Sequence, residues 1–228
     1  MPHRYKAHNK FLLYLAIIYF AMLAASYIVA YKMVSLGIIL ETGAIFLFPF
    51  SFTIADVIAE TYGYTISKQL VWASSIGGFL FCLVIEWIVS LHSPKFWQDQ
   101  RAYSLVLGHI LKIYFAMLVA SIVGAIVNIR LIIKWKLLMN GRYFWLRSIG
   151  SSAIGELLFS VIAGTISFVG VEPANKIFWL MLYGYIFKLI YAVIASFPSN
   201  LIVIFLKKYE TVSIENLENP FFKGETQS

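Results

Sequence analysis

The sequence predicts an all-α integral membrane protein built as a six-helix transmembrane bundle, and three observations carry that reading. The chain of 228 residues is 61% hydrophobic and 13% charged, against roughly half apolar and a quarter charged in soluble domains. Several of its apolar runs approach the ~20 residues that cross a bilayer as a helix. Its basic residues gather in alternate connections, the pattern that orients a multi-span chain. Spans and short connections consume nearly the whole length, so one membrane domain at residues 11–206 is expected, between an amino-terminal tail at 1–10 and a carboxy-terminal tail at 207–228.

Taken in order, the apolar runs place spans at Phe11–Tyr31, Leu36–Glu60, Leu70–Leu91, Ile110–Ile133, Ile149–Val171 and Ile177–Leu206. The first is longer than the core of a signal peptide and has no small-residue cleavage site after it. Every span is helical because lipid offers backbone groups no other partner. Arg4, Lys6 and Lys10 precede the first span, Lys134, Lys136, Arg142 and Arg147 lie about the fourth connection, and Lys207 and Lys208 follow the last. The opposite loops are leaner, with Lys32, then Lys95 and Arg101, then Lys176. Both termini are therefore expected in the cytoplasm. The formal charge of +7 is mostly topology, and no basic soluble module is present to bind nucleic acid.

Cys82 is the one cysteine, which excludes an intrachain disulfide, and the histidines at 3, 8, 92 and 109 lack metal-ligand spacing. No metal and no cofactor are expected. No P-loop, paired-histidine motif or nucleophile elbow occurs, so the chain reads as no enzyme, and ATP-driven work would need a separate ATPase.

An internal match stands out. YFAMLAAS at 19–26 recurs as YFAMLVAS at 114–121, an offset of 95 that lays the first span on the fourth. Those spans run in opposite directions, so two inverted three-helix halves are expected, an arrangement common in secondary transporters.

The polar residues inside the spans are the candidate site. In FPFSFTIADVIAETYGY, residues 48–64, Thr53, Asp56 and Glu60 are three and four apart and share one helix face. Carboxylates at membrane depth are costly unless they face a bundle interior or a wet cavity. Pro49 removes a backbone donor beside that face and is expected to bend or break the helix. Glu60 alternatively ends the span at the cytoplasmic interface. In RSIGSSAIGELLF, Ser152 and Glu156 are four apart, as are Arg147 and Ser151, and Gly150, Ser151, Ser152, Ala153 and Gly155 suit close helix packing or ligand contact. Lys188 lies too deep in the sixth span to snorkel and should pair with a buried acid. Such a pair either holds the bundle together or exchanges partners when a solute arrives. Glu86 and Arg130 read as interfacial.

The segments GAIFLFPFSFTIADVIAETYGY, ASIVGAIVN, LRSIGSSAIGELLF and FKLIYAVIASFP together resemble the queuosine precursor transporter family, also called the vitamin uptake transporter family. The resemblance runs from Tyr14 to Lys207. It implies a six-helix, multi-pass protein of the bacterial inner membrane that imports 7-cyano- or 7-aminomethyl-7-deazaguanine for salvage into queuosine, by a secondary or facilitated mechanism. The alternatives are a substrate-capture subunit of an energised vitamin-uptake complex, or a transporter of another purine-like or vitamin-like solute. Pro49, Asp56, Gly63, Asn128, Arg147, Ser151, Glu156, Lys188 and Pro198 match the family pattern, whereas Ser26 stands where an asparagine is expected and Phe159 where an aspartate is.

A 7-deazaguanine offers adjacent N–H donors to a carboxylate and a flat face to aromatic rings. Phe48, Phe50, Phe52, Trp72 and Tyr185 are the rings at hand. The expected substrate-binding set is Asp56, Glu60, Glu156, Lys188, Arg147, Ser152, Phe52 and Tyr185, with a small molecule and the bilayer as partners and a homodimer left open.

Overall fold

The computed structural model describes residues 10–30, 32–36, 39–168 and 173–209. In order along the chain these form α1 (Leu12–Val29), β1 (Met33–Leu36), β2 (Ile39–Thr42), α2 (Ala44–Tyr62), α3 (Tyr64–Ser90), α4 (Gln100–Leu107), α5 (Ile110–Leu138), α6 (Phe144–Phe168) and α7 (Ala174–Tyr209). Among the described residues, six helices are long and apolar enough to cross a membrane, α4 and α5 together counting as one. Arg4, Lys6, the span ends at Tyr31 and Val171, the side chain of Lys176 and the tail beyond Tyr209 lie outside the described residues.

Two span boundaries differ from the sequence expectation. The second helix begins at Ala44, not Leu36. Met33–Leu36 and Ile39–Thr42 instead pair as an antiparallel hairpin, with Met33 opposite Thr42 and Leu36 opposite Ile39. Hydropathy alone cannot separate a short apolar strand from the first turns of a helix. The third helix starts at Tyr64, not Leu70, because Gly63 turns the chain by itself. Its φ of 87° lies in the left-handed region, open to glycine at no steric cost. The two ends of the bundle are named below by these features, the hairpin end and the Gly63 end.

The third correction concerns proline. α2 runs unbroken through Pro49 and α7 through Pro198. Pro49 lies in the second turn of α2, where one helical hydrogen bond is lost but neighbouring hydroxyls serve the local carbonyls. Ser51 donates to the Phe48 carbonyl at 2.6 Å and Thr53 to the Pro49 carbonyl at 3.1 Å.

α2 is the axis of the bundle. Of its spanning window 78% is buried, against 22–39% for the other spans, and it packs against α1, α3, α5, α6 and α7. A helix enclosed on most sides is where a polar face escapes lipid, which explains the position of Asp56 and Glu60. α5 and α6 approach most closely at Gly124 and Gly155. A Cβ on either would stand 2.8 Å from the other's carbonyl oxygen. Of the expected small-residue stripe, Gly155 and Gly150 thus serve packing, the latter under the Trp135 ring.

At the hairpin end, Glu86 of α3 accepts a hydrogen bond of 3.0 Å from the Leu111 N–H, capping the first turn of α5 with a charge that also complements the helix dipole. The matching octapeptides sit in α1 and α5. Tyr27, just past the first copy, meets Tyr114 of the second edge to face at 5.2 Å.

Candidate substrate site

The polar face of α2 meets α5, α6 and α7 at two levels. Near the Gly63 end, the Glu60 carboxylate is buried among cations. Arg147 Nη1 lies 2.7 Å from Oε2, Lys207 Nζ contacts Oε1, and Lys136 Nζ lies 3.6 Å from Oε1 while donating to the Glu60 carbonyl at 2.6 Å. Arg147 is fully buried and its remaining donors reach the Arg142, Ile132 and Gly141 carbonyls at 3.0, 3.3 and 3.4 Å. Ile132 belongs to α5 and Gly141 and Arg142 to the connection after it, so the Arg147 side chain ties α6 to both. One acid and three cations from three helices form a closed, satisfied cluster.

One turn deeper the chemistry changes. Asp56, also fully buried, receives neutral donors only: Asn128 Nδ2 at 2.5 Å on Oδ1, Ser148 Oγ at 2.5 Å and Ser152 Oγ at 3.0 Å on Oδ2. One further turn along α6 from Ser152 lies Glu156, 2% exposed. Its Oε2 is 3.3 Å from Lys188 Nζ, yet neither carboxylate oxygen receives a hydrogen bond of good geometry. Lys188 donates instead to Ser160 Oγ at 3.0 Å, and its ammonium lies 4.3 Å from the centre of the Phe159 ring. The buried acceptor Asn128 Oδ1 likewise has no hydrogen-bond partner. The level is short of donors.

Empty space is scarce around it. Between α1, α2, α3 and α5 a cavity of about 10 Å³ is walled by Tyr19, Tyr27, Phe48, Phe52, Ser74 and Ser121, among others. That is room for about one water molecule. Phe52 separates it from the α5–α6 crossing, since Cβ atoms added at Gly124 and Gly155 would lie 3.5 and 3.4 Å from its ring.

Comparison with known proteins now bears on this site. Residues 42–203, from the end of β2 into α7, match the family model described as "Putative vitamin uptake transporter". The chain belongs to this family. It is 22% identical over 138 residues to a protein of Bacillus subtilis (strain 168) named "Probable queuosine precursor transporter", a match covering 60% of each chain. No solved structure matches it.

The bundle brings the expected residues together as two groups. Asp56, Ser152, Glu156 and Lys188 share the deeper level, and half-buried Tyr185 precedes Lys188 by three residues on α7. Glu60 and Arg147 pair with each other at the Gly63 end. Phe52 is buried against Phe48, ring centres 5.4 Å apart. Phe50 and Trp72 are 36% and 47% exposed and turn from the interior, because the faces of α2 and α3 that carry them look outward. At Phe159, where the resemblance led to an expected acid, the ring packs on Phe48 at 4.3 Å and carries the Lys188 ammonium on its face. Ser26 is buried and donates to the Leu23 carbonyl of its own helix.

Sequence reasoning missed three contributors. Ser148 was visible four residues before Ser152 on one α6 face, and Asn128 appeared only as a match to the family pattern. Glu41 had been placed inside the second span. It lies in β2, half-buried, with its carboxylate packed where a Cβ on Gly184 would stand 2.9 Å from Oε1. Gly184 is one turn from Lys188 on the same face of α7. Burial pushes the Glu41 carboxyl up, while the Lys188 ammonium and the Thr42 backbone draw it back.

Proposed function

We propose that the transporter imports queuosine precursors, 7-cyano- or 7-aminomethyl-7-deazaguanine, across a bacterial inner membrane by a secondary or facilitated mechanism, with the Gly63 end and both termini in the cytoplasm. The observation that carries the reading is Glu156: a carboxylate 2% exposed, beside a single ammonium, with two oxygens that accept no hydrogen bond. A buried acceptor left so incurs a desolvation cost that a donor-bearing solute removes. The adjacent N–H groups on one edge of a deazaguanine suit it, and Phe48, Phe52 and Phe159 supply apolar faces for the ring.

In this reading Asp56, held by Asn128, Ser148 and Ser152, fixes the rear wall of the site. Glu60 and Arg147 close its cytoplasmic side. The family membership supports transport, the name of the Bacillus protein supports the solute class, and the basic residues at the Gly63 end support the orientation. The two octapeptides in α1 and α5 support an inverted relation between the halves α1–α3 and α5–α7.

A cell unable to make queuosine precursors tests the proposal. Expression of the transporter should restore the modified nucleoside from external precursor, and vesicles containing this chain alone should take the precursor up. No restoration at any precursor concentration, with the protein present in the membrane, would sink the reading.

A further inference from the structure

The immediate surroundings of Lys188 Nζ form a built ammonium site. A carboxylate lies at 3.3 Å, a hydroxyl oxygen accepts at 3.0 Å, and an aromatic face lies at 4.3 Å. All three groups come from one face of α6, since Glu156, Phe159 and Ser160 follow the three- and four-residue spacing of a helix. An acid, a hydroxyl and a ring are the groups that recognise a primary amine. Nothing in that arrangement is specific to a lysine of the same chain.

Lys188 also has somewhere to go. Glu41 rests against Gly184, one turn toward the hairpin end on the same face of α7, and a lysine side chain is long enough to swing over one helical turn. We infer that Lys188 is an internal stand-in: the solute is a flat heterocycle bearing a primary ammonium, which replaces Lys188 on Glu156, Ser160 and Phe159 while Lys188 turns to Glu41. This deepens the proposed function, on which it rests, by selecting the aminomethyl compound over the nitrile. Asp56 adds to the bias, because among the described residues it has no cation within ion-pair reach, so this level holds two acids and one ammonium. Three polar atoms of this level accept no hydrogen bond of good geometry, Asn128 Oδ1 and the two Glu156 oxygens, of which Oε2 is ion-paired with Lys188; all three are acceptors, as a donor-rich ligand requires.

The test uses the full chain purified in detergent, with thermal unfolding as the readout and three probes: 7-aminomethyl-7-deazaguanine, 7-cyano-7-deazaguanine and methylammonium. Lys188→Ala empties the ammonium position. The aminomethyl compound should then bind at least about tenfold more tightly than to the unmodified protein, because it no longer competes with a tethered ammonium, whereas the nitrile should bind both alike. Methylammonium should raise the unfolding temperature of Lys188→Ala and leave that of the unmodified protein unchanged. Adding Glu156→Gln should abolish both effects. Equal response of the two proteins to the aminomethyl compound, together with no response to methylammonium, would overturn the inference. Stabilisation of Lys188→Ala by methylammonium, with neither deazaguanine bound by any form, would keep the ammonium site and reject the queuosine-precursor reading. Should Lys188→Ala not fold, competition on the unmodified protein decides. The aminomethyl compound should block uptake of the nitrile at a concentration at least about tenfold below that needed for the converse, and equal potency would refute the preference.

Discussion

Glu60 and Glu156 are both buried carboxylates that a helix carries into the membrane, and their surroundings are opposite. Glu60 has three cations from three helices and a guanidinium whose every donor nitrogen is used. Glu156 has one cation, 3.3 Å from Oε2 and hydrogen-bonded to Ser160, and neither of its oxygens accepts a hydrogen bond of good geometry. A buried ion pair adds stability only when its geometry is good and its remaining lone pairs are met. The first cluster meets that condition and ties α2, α5, α6 and α7 together at the Gly63 end. The second leaves part of its desolvation cost uncompensated, as a site does when a ligand is to complete it. In the proposed reading, completeness of hydrogen bonding separates the cluster that holds the bundle from the one that binds the solute.

Breaking the complete cluster should have the largest effect. Arg147→Met leaves Glu60 without its buried partner and releases the α5–α6 connection that the guanidinium holds, a change of about 3–5 kcal/mol. Folded yield and unfolding temperature in detergent should collapse, and a variant that purifies with unchanged thermal stability would contradict the assignment. Glu156→Gln should invert the pattern. Stability should fall less than for Arg147→Met, while precursor uptake falls by more than about tenfold. Combining it with Lys188→Met should restore stability, because no buried charge is then unpaired, but not uptake. If stability and uptake moved together in that pair, the distinction between the two clusters would fail.

Asp56→Asn comes next. It keeps size but removes the charge that strengthens three hydrogen bonds, each worth about 1.5–3 kcal/mol when charge-assisted. Part of that is retained by the amide, so the expected outcome is a tenfold to hundredfold loss of apparent affinity, on the order of 1.4–2.8 kcal/mol, with maximal uptake at high precursor concentration retained. Uptake measured against concentration checks this. Lys207→Ala should be the mildest. Its side chain is 42% exposed, so water and salt screen its pairing with Glu60, and a change below about 1 kcal/mol is expected. A larger drop, insensitive to salt, would show that Lys207 is as integral as Arg147.

What the sequence determined by itself follows from local physics. The cost of exposing backbone and charge to lipid acts on each segment separately. That is why six spans, the shared face of Asp56 and Glu60, and the need of Lys188 for an acid could all be read from spacing and depth. What it could not determine depends on the rotation and order of helices distant in the chain. Asp56 meets Asn128, Ser148 and Ser152 across 72, 92 and 96 residues, and Glu60 meets Lys207 across 147. Nothing in the spacing of either partner says that Arg147 would face Glu60 while Lys188 faces Glu156. The hairpin was hidden for a related reason: apolar strand and apolar helix look alike in composition, and only the return of β2 onto β1 places Glu41 against Gly184. Tertiary structure alone decided which acids are completed and which are not, because completion is a property of the assembled neighbours and not of the residue.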